Sequence, residues 1–286
     1  MRIAVTGATG FIGRRVIAAL CQHQGIDVLA LSRTTPVQED ALRDRVTHLT
    51  MDLATPPCDA YERMGCPDLL IHLAWDGLSN YKSLHHFEHE LRRQYDFLAQ
   101  LVRGGLPSLV CTGTCFEYGM QSGALREDFP AQPSNPYGYA KDALRRQLQF
   151  LQATHPFAFC WARLFYTYGE GQAASSLYAQ LRQAVERGDE CFPMSGGEQL
   201  RDYLPVETLA QHLVHLAMHA PDAGIVNVCS GQAIAVRSLV EQWIRNHGWN
   251  MQLQLGIYPY PDYEPIAFWG DNHYLRSLLD GHEKRP

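Results

Sequence analysis

The chain has 286 residues, 46% of them hydrophobic, and a formal net charge of −6. That length supports one large domain or two joined lobes around a buried core, and no apolar run approaches the ~18 residues that a membrane span needs. The acidic balance, with no basic block to offset it, argues against nucleic acid as a partner.

Met1-Arg2-Ile3-Ala4-Val5 reads as a strand at once, without the charged, apolar and cleavage regions of a leader, so a cytoplasmic location is expected. Strand patterns follow at 3–6, 28–32, 46–50, 69–73, 109–113 and 159–165, with helical patterns between them at 10–23, 87–104 and 136–153. Strands alternating with helices imply parallel βαβ units, and parallel strands covered on both faces read as continuous apolar runs, as these do. The expected fold is α/β, a Rossmann-type doubly wound parallel sheet. Beyond about residue 166 come helical patterns at 173–187, 206–218 and 236–246, a short strand at 225–228, and an aromatic, proline-rich tail at 256–269. We expect a dinucleotide-binding domain over 1–165 and a smaller substrate-binding lobe over 166–286, some of whose segments return to the first domain. The site is expected in the cleft between them. The eight cysteines are scattered without a Cys-x-x-Cys pair, which suits a reducing compartment. His85, His86 and His89 do not make His-Glu-x-x-His; a solvated helix face is expected there, and no metal.

Thr6-Gly7-Ala8-Thr9-Gly10-Phe11-Ile12-Gly13 follows the first strand and opens the first helix. Glycines let the main chain turn tightly and approach a ligand, and a helix amino terminus offers unpaired N–H groups to a pyrophosphate. Gly7, Gly10, Phe11, Ile12 and Gly13 are therefore candidate dinucleotide contacts, although the spacing is Gly-x-x-Gly-x-x-Gly rather than Gly-x-Gly-x-x-Gly. At the end of the second strand stand Ser32 and Arg33, with no acid before Glu39. A carboxylate there would select the ribose 2′-hydroxyl of NAD; arginine suits the 2′-phosphate. NADP is the expected cofactor, with NAD as the alternative. Asp52 and Leu53, closing the third strand, are placed to reach the adenine edge.

Ser134-Asn135-Pro136-Tyr137-Gly138-Tyr139-Ala140-Lys141 reads as a helix start, with Ser134 or Asn135 as cap and proline in the first turn. Residues four apart share a helix face, so Tyr137, not Tyr139, accompanies Lys141. A phenol titrates near 10 in water; a neighbouring ammonium, together with an oxidised nicotinamide ring when one is present, is expected to lower that value and fit Tyr137 for proton transfer. Thr112 and Thr114 lie at the carboxyl end of the fifth strand, where open α/β sheets bind ligands. Either can hold the substrate oxygen.

Together these residues resemble the extended branch of the short-chain dehydrogenase/reductase superfamily, the nucleotide-sugar epimerases, dehydratases and reductases. The resemblance covers nearly the whole chain. Thr6–Gly13 is similar to its glycine turn, and His72-Leu73-Ala74 to the segment that covers the cofactor. It implies Thr114, four residues before Tyr118-Gly119, as catalytic threonine beside Tyr137 and Lys141. It also implies cofactor contacts at Leu73, Ala74, Thr112, Leu164 and the catalytic pair. Thr114, Cys115, Tyr166 and Arg201 are implied on the substrate side, Arg201 toward the nucleotide pyrophosphate. A homodimer through the helices at 87–104 and 136–153 is implied as well.

Three departures bear on the reaction. Family dehydratases carry acid/base carboxylates immediately after the catalytic Ser/Thr; here Cys115 and Phe116 stand there. Glu117, one place later, is expected to face the other way in an extended segment, so elimination of water is not expected. Tyr166 replaces a sugar-contacting asparagine, and another asparagine is missing near Glu90. The expected function is an NAD(P)-dependent reductase acting on a nucleotide-activated 4-keto-6-deoxy sugar, similar to those of the dTDP-sugar type, with Tyr137 as acid. The alternatives are a nucleotide-sugar 4-epimerase with retained NAD and, from another class, a non-catalytic NAD(P)-binding sensor or scaffold.

Overall fold

The computed structural model describes residues 1–34 and 45–283; Glu39 lies outside them. Seven strands form one sheet: β1 (Arg2–Thr6), β2 (Asp27–Ser32), β3 (Val46–Thr50), β4 (Leu69–His72), β5 (Ser108–Thr114), β6 (Ala158–Leu164) and β7 (Gly224–Val228). Their order is β7-β6-β5-β4-β1-β2-β3, and every pairing is parallel. Each predicted strand of the first half is present to within a residue or so at either end. The order reverses between β1 and β4, which leaves a crevice at their carboxyl ends.

The alternation along β1 explains the two-sided core. Ile3 and Val5 face one layer, where Val16 and Leu20 of the helix Phe11–Leu20 meet Leu209 and Leu213 of Val206–His219 and Leu275 of His273–Glu283. Ala4 faces the other, packed with Phe97, Leu98 and Leu101 of Leu91–Arg103 and with Leu144 and Leu148 of Pro136–Thr154. A sheet buried on both faces must be apolar at successive positions. Thus β7, the helix Val206–His219 and the last helix lie on the main sheet, although all three come late in the chain. A separate cluster joins Tyr178, Leu181, Phe192, Trp243 and Met251. Among the described residues no helix is long and apolar enough to cross a membrane.

Candidate active site

Glycine geometry builds the first wall of the crevice. Gly7 has φ +66°, and a Cβ there would meet the Ala74 nitrogen at 3.0 Å; a Cβ on Gly13 would lie 2.1 Å from the Gly7 carbonyl oxygen. The turn therefore admits no side chain at either place. Thr6 braces it from below. Its hydroxyl accepts from the backbone N–H of Leu73 (3.2 Å) and Ala74 (3.3 Å), so its own proton goes to Nδ1 of His72 at 2.9 Å. Burial pushes the His72 imidazole down to about 3, which keeps it a neutral acceptor. Gly10 caps the following helix without any side-chain hydrogen bond, leaving its first N–H groups facing the crevice.

The cleft above this turn has a volume of about 400 Å³. Gly7, Gly10, Phe11, Ile12, Gly13, Ser32, Arg33, Asp52, Leu53, Leu73 and Ala74 line it, as do Trp75, Glu90 and Arg93, which sequence reasoning did not find. A glycine cradle, an uncapped helix start and a long cleft at the sheet's switch point fit a dinucleotide. Thr112, Tyr137, Lys141 and Leu164 stand apart from this lining, at the ends of β5 and β6 and on the helix Pro136–Thr154.

That helix begins as its sequence requires. Asn135, not Ser134, is the cap, its side chain accepting the Gly138 N–H at 2.8 Å. Tyr137 and Lys141 are both buried, whereas Tyr139 is 54% exposed. The Lys141 ammonium donates to the Thr112 carbonyl at 2.9 Å and sits 4.0 Å from the centre of the Trp75 ring and 6.0 Å from that of Tyr137. The structure also separates the two threonines. The Thr112 hydroxyl is spent on the His72 carbonyl (3.2 Å), whereas the Thr114 side chain lies beside the Tyr137 phenol.

In the ligand-free protein the lowering expected at Tyr137 is absent. Burial dominates and pushes the phenol well above 10; neighbouring Tyr81, Cys115 and Glu117 add to the rise, and the Thr114 hydroxyl opposes it. Burial also lowers the Lys141 amine. Without a ligand, Tyr137 is thus a protonated phenol across the neutral range, a store of one proton rather than a ready base.

Glu117 does face away from the cleft, but for a different reason from the one expected. Cys115–Tyr118 is a 3-10 turn, not an extended segment. Fully buried, the Glu117 carboxylate accepts from the Thr114 backbone N–H (2.9 Å), Trp161 Nε1 (2.9 Å) and Arg163 Nε (2.7 Å). Cys115 is buried and its thiol is pushed far up by burial, which keeps it a neutral thiol in the ligand-free protein. The solvated histidine face is likewise corrected in part: His89 is exposed, but His86 is fully buried, inside a π-helical turn, His86–Glu90.

Across the cleft, Arg201 is buried and its Nη2 pairs with Glu264 at 2.8 Å. The other Glu264 oxygen accepts the hydroxyl of Tyr166. Tyr166 in turn stacks on Tyr203, with ring centres 5.1 Å apart. Glu264 belongs to the aromatic tail and was invisible in the sequence, because its partner lies far away in the chain. Tyr81 stacks on Tyr137, with ring centres 5.2 Å apart.

Residues 3–229 match the NAD dependent epimerase/dehydratase family. The chain is 27% identical over 271 residues to dTDP-6-deoxy-L-talose 4-dehydrogenase (NAD(+)) from Aggregatibacter actinomycetemcomitans, covering 94% of this chain and 99% of that protein. It is 27% identical over 263 residues to UDP-glucose 4-epimerase from Azospirillum brasilense, covering 84% and 75% respectively. UDP-glucuronic acid 4-epimerase from Bacillus cereus, solved with UDP-glucuronic acid and NAD, shares the fold. Its TM-score is 0.81 at 19% identity, covering 98% of this chain and 93% of that one. The chain belongs to the NAD dependent epimerase/dehydratase family, of the extended short-chain dehydrogenase/reductase type.

Proposed function

We propose that this protein is an NAD(P)-dependent reductase of a nucleotide-activated 4-keto-6-deoxy sugar. The observation that carries the proposal is the buried Tyr137 beside Thr114, one helical turn from Lys141, with burial holding its phenol pKa up. Thr114 holds the ketone oxygen, and Tyr137 gives that oxygen its proton. Lys141, anchored on the Thr112 carbonyl, places positive charge near the phenol and favours the phenolate left behind. A reduced nicotinamide supplies the hydride when bound. A protein whose name is dTDP-6-deoxy-L-talose 4-dehydrogenase (NAD(+)) supports the reading, since a 4-dehydrogenase and a 4-ketoreductase run one reaction in opposite directions. Glu117 is committed to Arg163 and Trp161, which argues against dehydration.

On the cofactor, Arg33 at the rim of the cleft favours NADP(H), whereas the NAD(+) in that relative's name favours NAD. Steady-state oxidation of NADPH and NADH with dTDP-4-keto-6-deoxyglucose tests both points: turnover supports the proposal, and binding without turnover of any keto-sugar supports a sensor. A 4-epimerase, the activity in the name of another relative, is the second reading; NAD retained through purification, with interconversion of 4-epimers, identifies it. We also propose a homodimer through the helices Leu91–Arg103 and Pro136–Thr154. The exposed Tyr139 (54%) and Phe150 (76%) on the second helix, and Phe87 (37%) on the π-helical turn that leads into the first, support it, and a monomer by sedimentation refutes it.

A further inference from the structure

Trp75 follows β4 directly after the Leu73-Ala74 step and is half-buried on the wall of the dinucleotide cleft. Its ring face lies 4.0 Å from the Lys141 ammonium, and it meets the Tyr137 ring in a T-shaped contact, with centroids 5.9 Å apart at 70°. A large side chain at such a place needs anchoring, and two buried polar groups supply it. The Trp75 indole N–H donates to His86 Nδ1 at 3.1 Å, while His86 Nε2 donates to the Asn80 carbonyl at 2.9 Å. Those two bonds require the neutral imidazole with its proton on Nε2, and burial favours that form by lowering the ring's pKa. Next along the chain, the Asp76 N–H donates to Glu90 at 2.9 Å. His86 and Glu90 open and close one π-helical turn, a local distortion that aims both inward.

We propose that Trp75 is a positioning residue: its indole face seats the Lys141 ammonium, and His86 and Glu90 hold the Trp75-Asp76 step in place. An ammonium has three donors. One goes to the Thr112 carbonyl, and the ring face attracts the charge from a second side through its quadrupole. That attraction matters because burial works against the charged amine; among the described residues the carboxylates of Glu117 and Glu90 oppose it from nearby elements, with the Cys111 thiol, itself pushed up to about 12 by burial, and the neutral His72 beside them. The inference rests on the proposed use of Lys141 in turnover, but the seat itself is testable without turnover.

In the ligand-free protein, the tryptophan emission of wild type minus that of Trp75→Phe isolates Trp75. Followed against pH, it is expected to show an alkaline step that Lys141→Met abolishes. An emission without an alkaline step, or an alkaline step that survives in Lys141→Met and so belongs to another group, overturns the seat. In turnover, Trp75→Leu is expected to lower kcat about tenfold or more and to move its alkaline fall to lower pH, because the amine loses its charge sooner. Trp75→Phe, which keeps a ring face, is expected to restore the position of that fall. A Trp75→Leu profile that is lowered without moving overturns the positioning role. Full activity in Lys141→Met would remove the catalytic proposal while leaving the emission step to decide the seat.

Discussion

Replacing Glu117 by alanine should destabilise the protein by about 3–5 kcal/mol, because it strips a buried guanidinium of its only close carboxylate among the described residues. Glu117 is fully buried, Arg163 is 1% exposed, and their closest atoms are 2.7 Å apart; Arg145 stands farther off, at 3.9 Å. The indole N–H of Trp161 and the backbone N–H of Thr114, each 2.9 Å from the same carboxylate, would lose their acceptor too. Leaving a buried donor unmatched costs about 1–3 kcal/mol by itself, and these losses overlap because they share one carboxylate. At roughly 2–4 °C per kcal/mol for a chain of this order, the thermal midpoint should fall by about 10 °C. Thermal and urea unfolding of Glu117→Ala, Arg163→Met and the double variant form a cycle. The double variant should recover the part of the loss that comes from the unpaired guanidinium, since an apolar pair often replaces a buried ion pair without penalty. A drop below about 1 kcal/mol, or a double variant no better than its parents, would show that the pair does not exist as described. Glu117→Gln should keep turnover per folded molecule; its loss without destabilisation would return Glu117 to the chemistry.

Tyr137→Phe should retain cofactor affinity while kcat falls by about 10²–10⁴, as read by cofactor titration and initial rates; near-normal turnover would remove the assigned acid. Because burial raises the phenol's pKa, the reverse, oxidising reaction, which needs the phenolate, should quicken as pH rises from ~6 to ~9, and a flat profile would contradict this. Arg33→Asp should lower the ratio of kcat/KM for NADPH over NADH by about tenfold or more, and an unchanged ratio would mean that Arg33 does not touch the 2′-position. Gly13→Ala puts a methyl group 2.1 Å from the Gly7 oxygen, so calorimetry should find cofactor binding weakened at least about tenfold; normal affinity would disprove the close turn.

The parts read correctly from the sequence are those whose signal is local. Continuous apolar runs mark buried parallel strands. The Thr6–Gly13 turn carries its own backbone requirement, and Tyr137 and Lys141 share a helix face because a helix has a fixed period. Such features rest on neighbours within a few residues. Glu117 was assigned the right side for the wrong reason, since the pitch of a 3-10 turn cannot be told from a short extended stretch by residue types alone.

Other features depend on which distant segments meet. Tyr137's acidity is set by how completely the fold removes water from it, a quantity no motif contains. Trp75, His86 and Glu90 become one unit only when the segment after β4 folds against a π-helical turn. Arg201 finds Glu264 across 63 residues of chain, a contact that tertiary packing alone creates. Periodicity and backbone sterics act within a turn or two and are written in the order of residues. Burial and long-range charge pairing depend on the whole three-dimensional arrangement, so they emerge only once the chain has closed on itself.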